Sequence, residues 1–508
     1  MTPLRALFPL IALCAAVASA GVSARAQEIR AVVSVDRFYE LRDGALGWTG
    51  PANAHLYRQL LESVEGAAAH GLEPADYHLA ALRAGDPDPD GLRLDRIATD
   101  AYLTLAAHLL SGRLNPVTVE PDWTAARRER DLAVYLHAAL AQGAVRTSLD
   151  ALGPMQPGYA ALKQALSQYR AIADRGGWQP VDSGAVLRRG DTGPRVQQLR
   201  RRLRATGDVE GTEGSPDAFD AALDIAVRRF QRRANLEPDG IVGPATLAQL
   251  NVSVQGRIAQ IRANMERWRW LPEDLGTRHI RVNIADYRLE ARSGGEVERV
   301  HEVVVGQLFR KTPVFSGRMT YLVLNPWWET PPSLAVRDKL PAFRKNPEMV
   351  TALGFQVIDR EGRTVDPATI DWSTVTARNF PFRIRQAPGP QNALGDVKFM
   401  FPNRHNVYLH DTPTRGLFAK TRRDFSSGCI RVKDPLRLAA WAAADTPGWD
   451  EARIEAVAAG NEETRVSLAR PVQVHLLYWT VVPEDETGVR FLADIYERDG
   501  RLIEALDG

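Results

Sequence analysis

The hydrophobic period of this chain changes once, and that change limits what it can fold into. Up to Trp270 apolar residues recur three and four apart. Residues 51–70 place Leu56, Leu60, Leu61 and Val64 on one face and stop at Gly71. Residues 101–110, 132–140 and 159–173 carry the same spacing. From His279 the period becomes two: Ile280, Val282 and Ile284 alternate with Arg281 and Asn283, and Leu289 and Ala291 continue the pattern. A helical period followed by a strand period predicts a multidomain α+β protein. At 508 residues the chain has room for about three domains.

Charge narrows the function. Sixty-four basic residues against 62 acidic ones leave +2, without the basic excess that nucleic-acid binding needs. Residues 1–26 read as a secretory signal peptide: Arg5, an apolar run from Ala6 to Ala20, then the small-residue patterns Ala18-Ser19-Ala20 and Ala24-Arg25-Ala26. An uncleaved anchor is the alternative. Removing the leader takes Arg5 and Arg25 with it and brings the net charge to zero. No later segment approaches the roughly 20 apolar residues of a membrane helix, so no span is expected after cleavage. Two cysteines are present, Cys14 and Cys429. The exported chain would keep only Cys429, as an inert buried thiol or a reactive one.

Residues 27–180 form the helical part and show no catalytic cluster. Arg175-Gly176-Gly177 reads as a linker. Residues 186–252 are patterned throughout: Gly190-Asp191-Thr192-Gly193, a helix with Val196, Leu199 and Leu203, and a second with Leu223, Val227 and Phe230. Asp239-Gly240-Ile241-Val242-Gly243 and a third helix follow. This segment resembles the three-helix peptidoglycan-binding module, which implies affinity for cell-wall glycan or stem peptide.

Residues 278–455 form the β-rich part. Within it, about 326–395 is a long Pro-rich insertion with Trp327 and Trp328 at its base. Residues 456–508 form a C-terminal β-hairpin extension, packed on the helical or the β-rich part. Its strands are expected over 472–482 and 489–496.

Chemistry concentrates in residues 407–432. Alternation puts Val407 and Leu409 on one face and Tyr408 and His410 on the other. Ile430 and Val432 face a core while Cys429 and Arg431 project together. Gly428 lets the chain turn tightly before the thiol. A free thiol is mostly protonated at neutral pH, so a neighbouring imidazole must take its proton or pair with the thiolate. The Cys429 N–H and the Tyr408 hydroxyl are candidate oxyanion donors. Arg431 suits a substrate carboxylate or a structural ion pair.

His410, Ser426, Gly428, Cys429, Ile430 and Arg431 resemble the active-site pattern of L,D-transpeptidases, whose catalytic unit is called the YkuD domain. Two positions depart from it: Ser427 stands where many members carry His, and Asp411 where Gly often follows the histidine. The resemblance implies Cys429 as nucleophile and His410 as general base and acid. Tyr408, Ser426, Ser427, Gly428 and Arg431 become oxyanion or substrate contacts. Helical scaffold, peptidoglycan-binding module and a YkuD-type domain with a lid at 326–395 together resemble the large Gram-negative YcbB-like subgroup. That implies a periplasmic enzyme forming 3→3 crosslinks through a thioester with release of D-alanine, and acylation by carbapenems. It implies no cofactor and no metal. Peptidoglycan stem peptides and glycan are the expected partners, with other cell-wall synthesis enzymes as candidates and no nucleic acid.

Other readings use the same residues. Water or a lipoprotein lysine as acceptor would give an L,D-carboxypeptidase or a wall-attaching enzyme, and a retired site would leave a wall-binding scaffold. A zinc site built on His405 and His410 lacks a compact ligand spacing. A papain-like order is excluded, because His410 precedes Cys429.

Overall fold

The computed structural model describes residues 32–508 apart from 86–90, 122, 125–126, 210–214 and 485–487. The expected leader, with Cys14, lies outside the described residues. No described helix is long and apolar enough to cross a membrane.

The helical part packs around the helix Leu92–Ser111. Leu56, Leu60 and Val64 of the helix Ala54–Gly66 meet Ala98, Tyr102, Leu105 and Leu109 in one core. Asp95, fully buried there, accepts the backbone N–H groups of Gly47, Trp48 and Thr49 and the Tyr39 hydroxyl. Such a carboxylate is tolerable because its lone pairs are satisfied. Residues 186–252 form the expected helices Pro194–Ala205, Ala221–Arg233 and Pro244–Leu250 around Val196, Leu199, Leu223, Val227 and Phe230.

The β-rich part begins with β1 (Arg278–Asn283), β2 (Arg288–Ser293), β3 (Glu296–Gly306) and β4 (Phe315–Leu324). The insertion supplies β5 (Trp328–Glu329), β6 (Phe355–Ile358), β7 (Thr364–Val365) and β8 (Arg383–Gln386). The central sheet resumes with β9 (Val397–Met400), β10 (Leu409–His410), β11 (Asp424–Ser426), β12 (Ile430–Val432) and β13 (Thr464–Leu477). Its order runs β11-β3-β12-β10-β9-β4-β13-β1-β2, and a β2–β3 ladder curls it closed. The long strand β3 makes this possible: residues 296–302 pair with β2, and Val303 and Val304 pair with β12.

The insertion is an ordered unit. Its own sheet, β5-β8-β6-β7, backs a core of Trp328, Phe343, Phe355, Trp372 and Ile384. The helix Pro157–Asp174 buries Tyr159, Leu162 and Leu166 in the core of the β-rich part, beside the helix Val254–Arg269.

The C-terminal hairpin is shorter than alternation predicts. Its strands are β14 (Val481–Glu484) and β15 (Gly488–Phe491), whereas β13 belongs to the central sheet between β1 and β4. The break has a physical cause. The Trp479 N–H donates to the Asn283 side chain and the Thr480 N–H to Asn264, which takes both out of a strand ladder. The chain ends in the helix Asp499–Asp507, tied back by buried ion pairs from Arg267 to Glu120 and Asp499.

Candidate active site

The two motif segments meet as neighbouring parallel strands. Leu409 pairs with Ile430 and His410 with Arg431, and the Ile430 N–H donates to the Tyr408 carbonyl at 3.1 Å. Val407, Leu409, Ile430 and Val432 are buried in the sheet core. The other face therefore carries Tyr408, His410, Cys429 and Arg431, as alternation predicts. Cys429 is half-buried.

The turn before the thiol is built by hydrogen bonds. The buried Ser426 hydroxyl accepts the Gly428 N–H at 3.1 Å and donates to the Cys429 carbonyl at 2.5 Å. Gly428 sits at φ 114°, a conformation closed to other side chains. Ser426 and Gly428 thus shape the turn, and Ser427 points outward to Arg310, whose Nη1 donates to its Oγ at 2.7 Å.

Electrostatics set the resting state. Burial pushes the Cys429 thiol up, while hydrogen bonding to Tyr408 and the charges of Lys398 and Arg431 pull it down. The thiol also donates to the Asn406 carbonyl at 3.8 Å. His410 is pushed down to about 3, by burial first and then by Arg431. Its Nδ1–H donates to the Asp411 carbonyl at 2.5 Å, which leaves Nε2 as the free lone pair. Burial thus holds thiol and imidazole neutral at pH 7 rather than as an ion pair. His410 makes no hydrogen bond to Cys429 in this state. In unliganded sites such bonds are often long and tighten with substrate.

Two cations flank the thiol, neither in a contact ion pair among the described residues, with Glu463 the carboxylate whose charge reaches Lys398. Lys398 lies opposite His410 in the β9–β10 ladder, with its ammonium 4.2 Å from the Tyr408 ring centre. Arg431 has a buried Nε with no hydrogen-bond partner. Asp411 does not oppose them. Its carboxylate turns away to the Asp396 N–H at 3.0 Å and to Arg415 at 3.4 Å. Gly395 makes room for it, since a Cβ there would lie 2.2 Å from Asp411 Oδ2.

The insertion reaches the site through Tyr408, which packs against its core. Trp328 belongs to that same core. Trp328 is therefore core, while Trp327 lies under the Arg385 guanidinium at 4.4 Å. His405, the other imidazole near the motif, stacks against Phe315.

Sequence reading missed Lys398, Arg310 and Thr312. The alternation of Val397, Lys398 and Phe399 marks a strand with Lys398 on its polar face. Only the ladder shows that this face is shared with His410.

Comparison with known proteins gives three domain matches: a scaffold domain at residues 33–166, a putative peptidoglycan-binding domain at 192–250, and the YkuD L,D-transpeptidase catalytic domain at 277–455. The last contains every motif residue above. The chain carries an L,D-transpeptidase catalytic domain. A curated putative L,D-transpeptidase of Haemophilus influenzae is 36% identical over 251 residues, 49% of this chain and 50% of that protein. The chain thus matches half the length of this relative. The N-acetylmuramoyl-L-alanine amidase CwlM of Mycobacterium tuberculosis is 39% identical over 77 residues, 14% of this chain and 19% of that protein. A crystallised L,D-transpeptidase from Xylanimonas cellulosilytica is 16% identical with a TM-score of 0.17, covering 59% of this chain and all of that one. Within this L,D-transpeptidase domain the thiol, the imidazole and both cations converge on one face of the sheet.

Proposed function

We propose that this protein is an exported, periplasmic L,D-transpeptidase that crosslinks peptidoglycan. One observation carries the reading: parallel pairing of β10 and β12 brings Cys429 and His410 to the same face of the sheet, with Lys398 and Arg431 on that face beside them. A nucleophile, a neutral base and two cations suit acyl transfer from a peptide that bears carboxylates.

In the proposed reaction the Cys429 sulfur attacks the carbonyl that links the third residue of a tetrapeptide stem to its terminal D-alanine. His410 Nε2 takes the thiol proton and passes it to the departing amine of D-alanine. The oxyanion is held by the Cys429 N–H and the Tyr408 hydroxyl, and Arg431 and Lys398 orient substrate carboxylates. The thioester is then taken by the side-chain amine of diaminopimelate on a second stem, which gives a 3→3 crosslink and restores the thiol. The ordered insertion serves as lid, and the arrangement of parts is that of the YcbB-like subgroup. The module at residues 192–250 holds the enzyme on the wall.

Incubation with disaccharide–tetrapeptide, followed by muropeptide analysis, tests the reading. Dimers and free D-alanine are expected, and neither with Cys429→Ala. Monomeric tripeptide alone would assign the enzyme as a carboxypeptidase.

A further inference from the structure

The segment between β3 and β4 meets the nucleophile's turn residue by residue. The Gln307 N–H donates to the Ser426 carbonyl at 3.0 Å. Arg310 Nη1 donates to Ser427 Oγ at 2.7 Å, and Thr312 Oγ1 to the Gly428 carbonyl at 2.9 Å. Three successive residues before Cys429 thus hang on one short loop. The loop is itself held: the Tyr496 hydroxyl accepts the Thr312 N–H at 3.1 Å and donates to the Gly306 carbonyl at 2.6 Å.

Arg310 faces two ways. Its Nη1 and Nη2 also grip Asp338 of the lid, at 2.9 and 3.0 Å, in a planar two-point contact. Asp338 lies in a π-helical turn, Ala335–Lys339, a geometry found mostly at functional sites. The turn is rigidly part of the lid, because the Lys339 ammonium lies over Trp328 at 5.2 Å and Phe355 at 5.3 Å. One guanidinium therefore spans from the lid to the residue two before the nucleophile. A lysine could not, since a point charge lacks the fork.

We propose that Arg310 is a positioning residue that ties docking of the lid to placement of the Cys429 turn. Ser427, one of the two positions that depart from the family pattern, is the acceptor through which that link acts. When the lid lifts, Asp338 releases the guanidinium and the Ser427 end loosens with it. When the lid docks over substrate, the turn is drawn into register with Tyr408 and Lys398. The proposal rests on the transpeptidase reading for its purpose, but its geometry is independent of the reaction.

The test is a double-mutant cycle on the full-length protein with Asp338→Asn, Ser427→Ala and both together. The readout is the pH midpoint of Cys429 alkylation by iodoacetamide, followed on the peptide that carries it. Access to the thiol scales the rate, whereas placement of the turn moves the midpoint. Asp338→Asn is expected to shift the midpoint by about half a pH unit or more, and the shift should vanish in the Ser427→Ala background. Arg310→Lys should keep lid docking, seen as a near-parental KM, yet reproduce the midpoint shift and lower kcat. An unmoved midpoint in Asp338→Asn, or an equal shift with and without the Ser427 hydroxyl, would overturn the link. If the cycle couples but no D-alanine is released from tetrapeptide, the link stands and the transpeptidase reading falls.

Discussion

Lys398 stands directly across the β9–β10 ladder from His410, and its ammonium caps the Tyr408 ring. Burial lowers the affinity of Lys398 for its proton, and the sulfur of Cys429 is the first charge that offsets this. The lysine is thus positioned to favour thiolate over thiol. Replacing it by Met keeps the length and removes the charge. Lys398→Met should raise the pH midpoint of Cys429 alkylation and slow acylation about tenfold, with the melting temperature little changed. An unchanged midpoint would remove Lys398 from the site.

Ser426 is a structural member of the motif. Its hydroxyl satisfies the Gly428 N–H and the Cys429 carbonyl, and both are lost in Ser426→Ala. A buried N–H left without a partner costs about 2 kcal/mol. Urea denaturation should show that loss, and Ser426→Thr should recover most of it. A neutral Ser426→Ala would mean that the turn holds itself.

Gly306 is required by close approach. A Cβ there would lie 2.1 Å from the Arg310 carbonyl and 2.8 Å from the Thr312 nitrogen. Backbone on both sides must move, so Gly306→Ala should destabilise by about 2–3 kcal/mol and displace the loop that holds the Cys429 turn. Activity should fall further than stability alone explains, as read by kcat at a temperature where the variant is fully folded.

Burial keeps five imidazoles neutral among the described residues: it pushes His279 and His301 down, His475 down to about 4, and His70 and His410 down to about 3. In the unfolded chain each binds a proton near 6.5. Their contribution to stability is therefore complete above pH 6.5 and is lost as pH falls toward 4 and then 3. The urea midpoint should drop steadily between about pH 6.5 and pH 4.5. The acid limb of kcat/KM that belongs to His410 should lie well below 6.5. A flat urea midpoint across that window would contradict the buried neutral state.

The sequence made some of this legible because its signals are local. Spacing of Val196, Leu199, Leu223 and Val227 reads as small helices wherever they sit, and alternation around His410 and Cys429 fixes which side chains share a face. Other features depend on distant partners. Nothing near Lys398 says that its strand lies beside β10, and nothing near Arg310 says that Asp338 will dock on it. The helix Pro157–Asp174 is plainly amphipathic, yet its apolar face goes to the β-rich core, a choice its own residues do not encode. The hairpin strand starts later than Val472 because Val472 to Val482 carries no turn signal of its own; Asn283 and Asn264 supply the break from elsewhere.

In the proposed reaction the Cys429 sulfur carries the acyl group. Brief reaction with disaccharide–tetrapeptide, acid quench and mass spectrometry of the peptide containing Cys429 measures this directly. A thioester adduct equal to the substrate less D-alanine is expected, absent in Cys429→Ala and slow to form in His410→Gln. D-Alanine release by Cys429→Ala, or turnover by the parent protein with that peptide unmodified throughout, would contradict it.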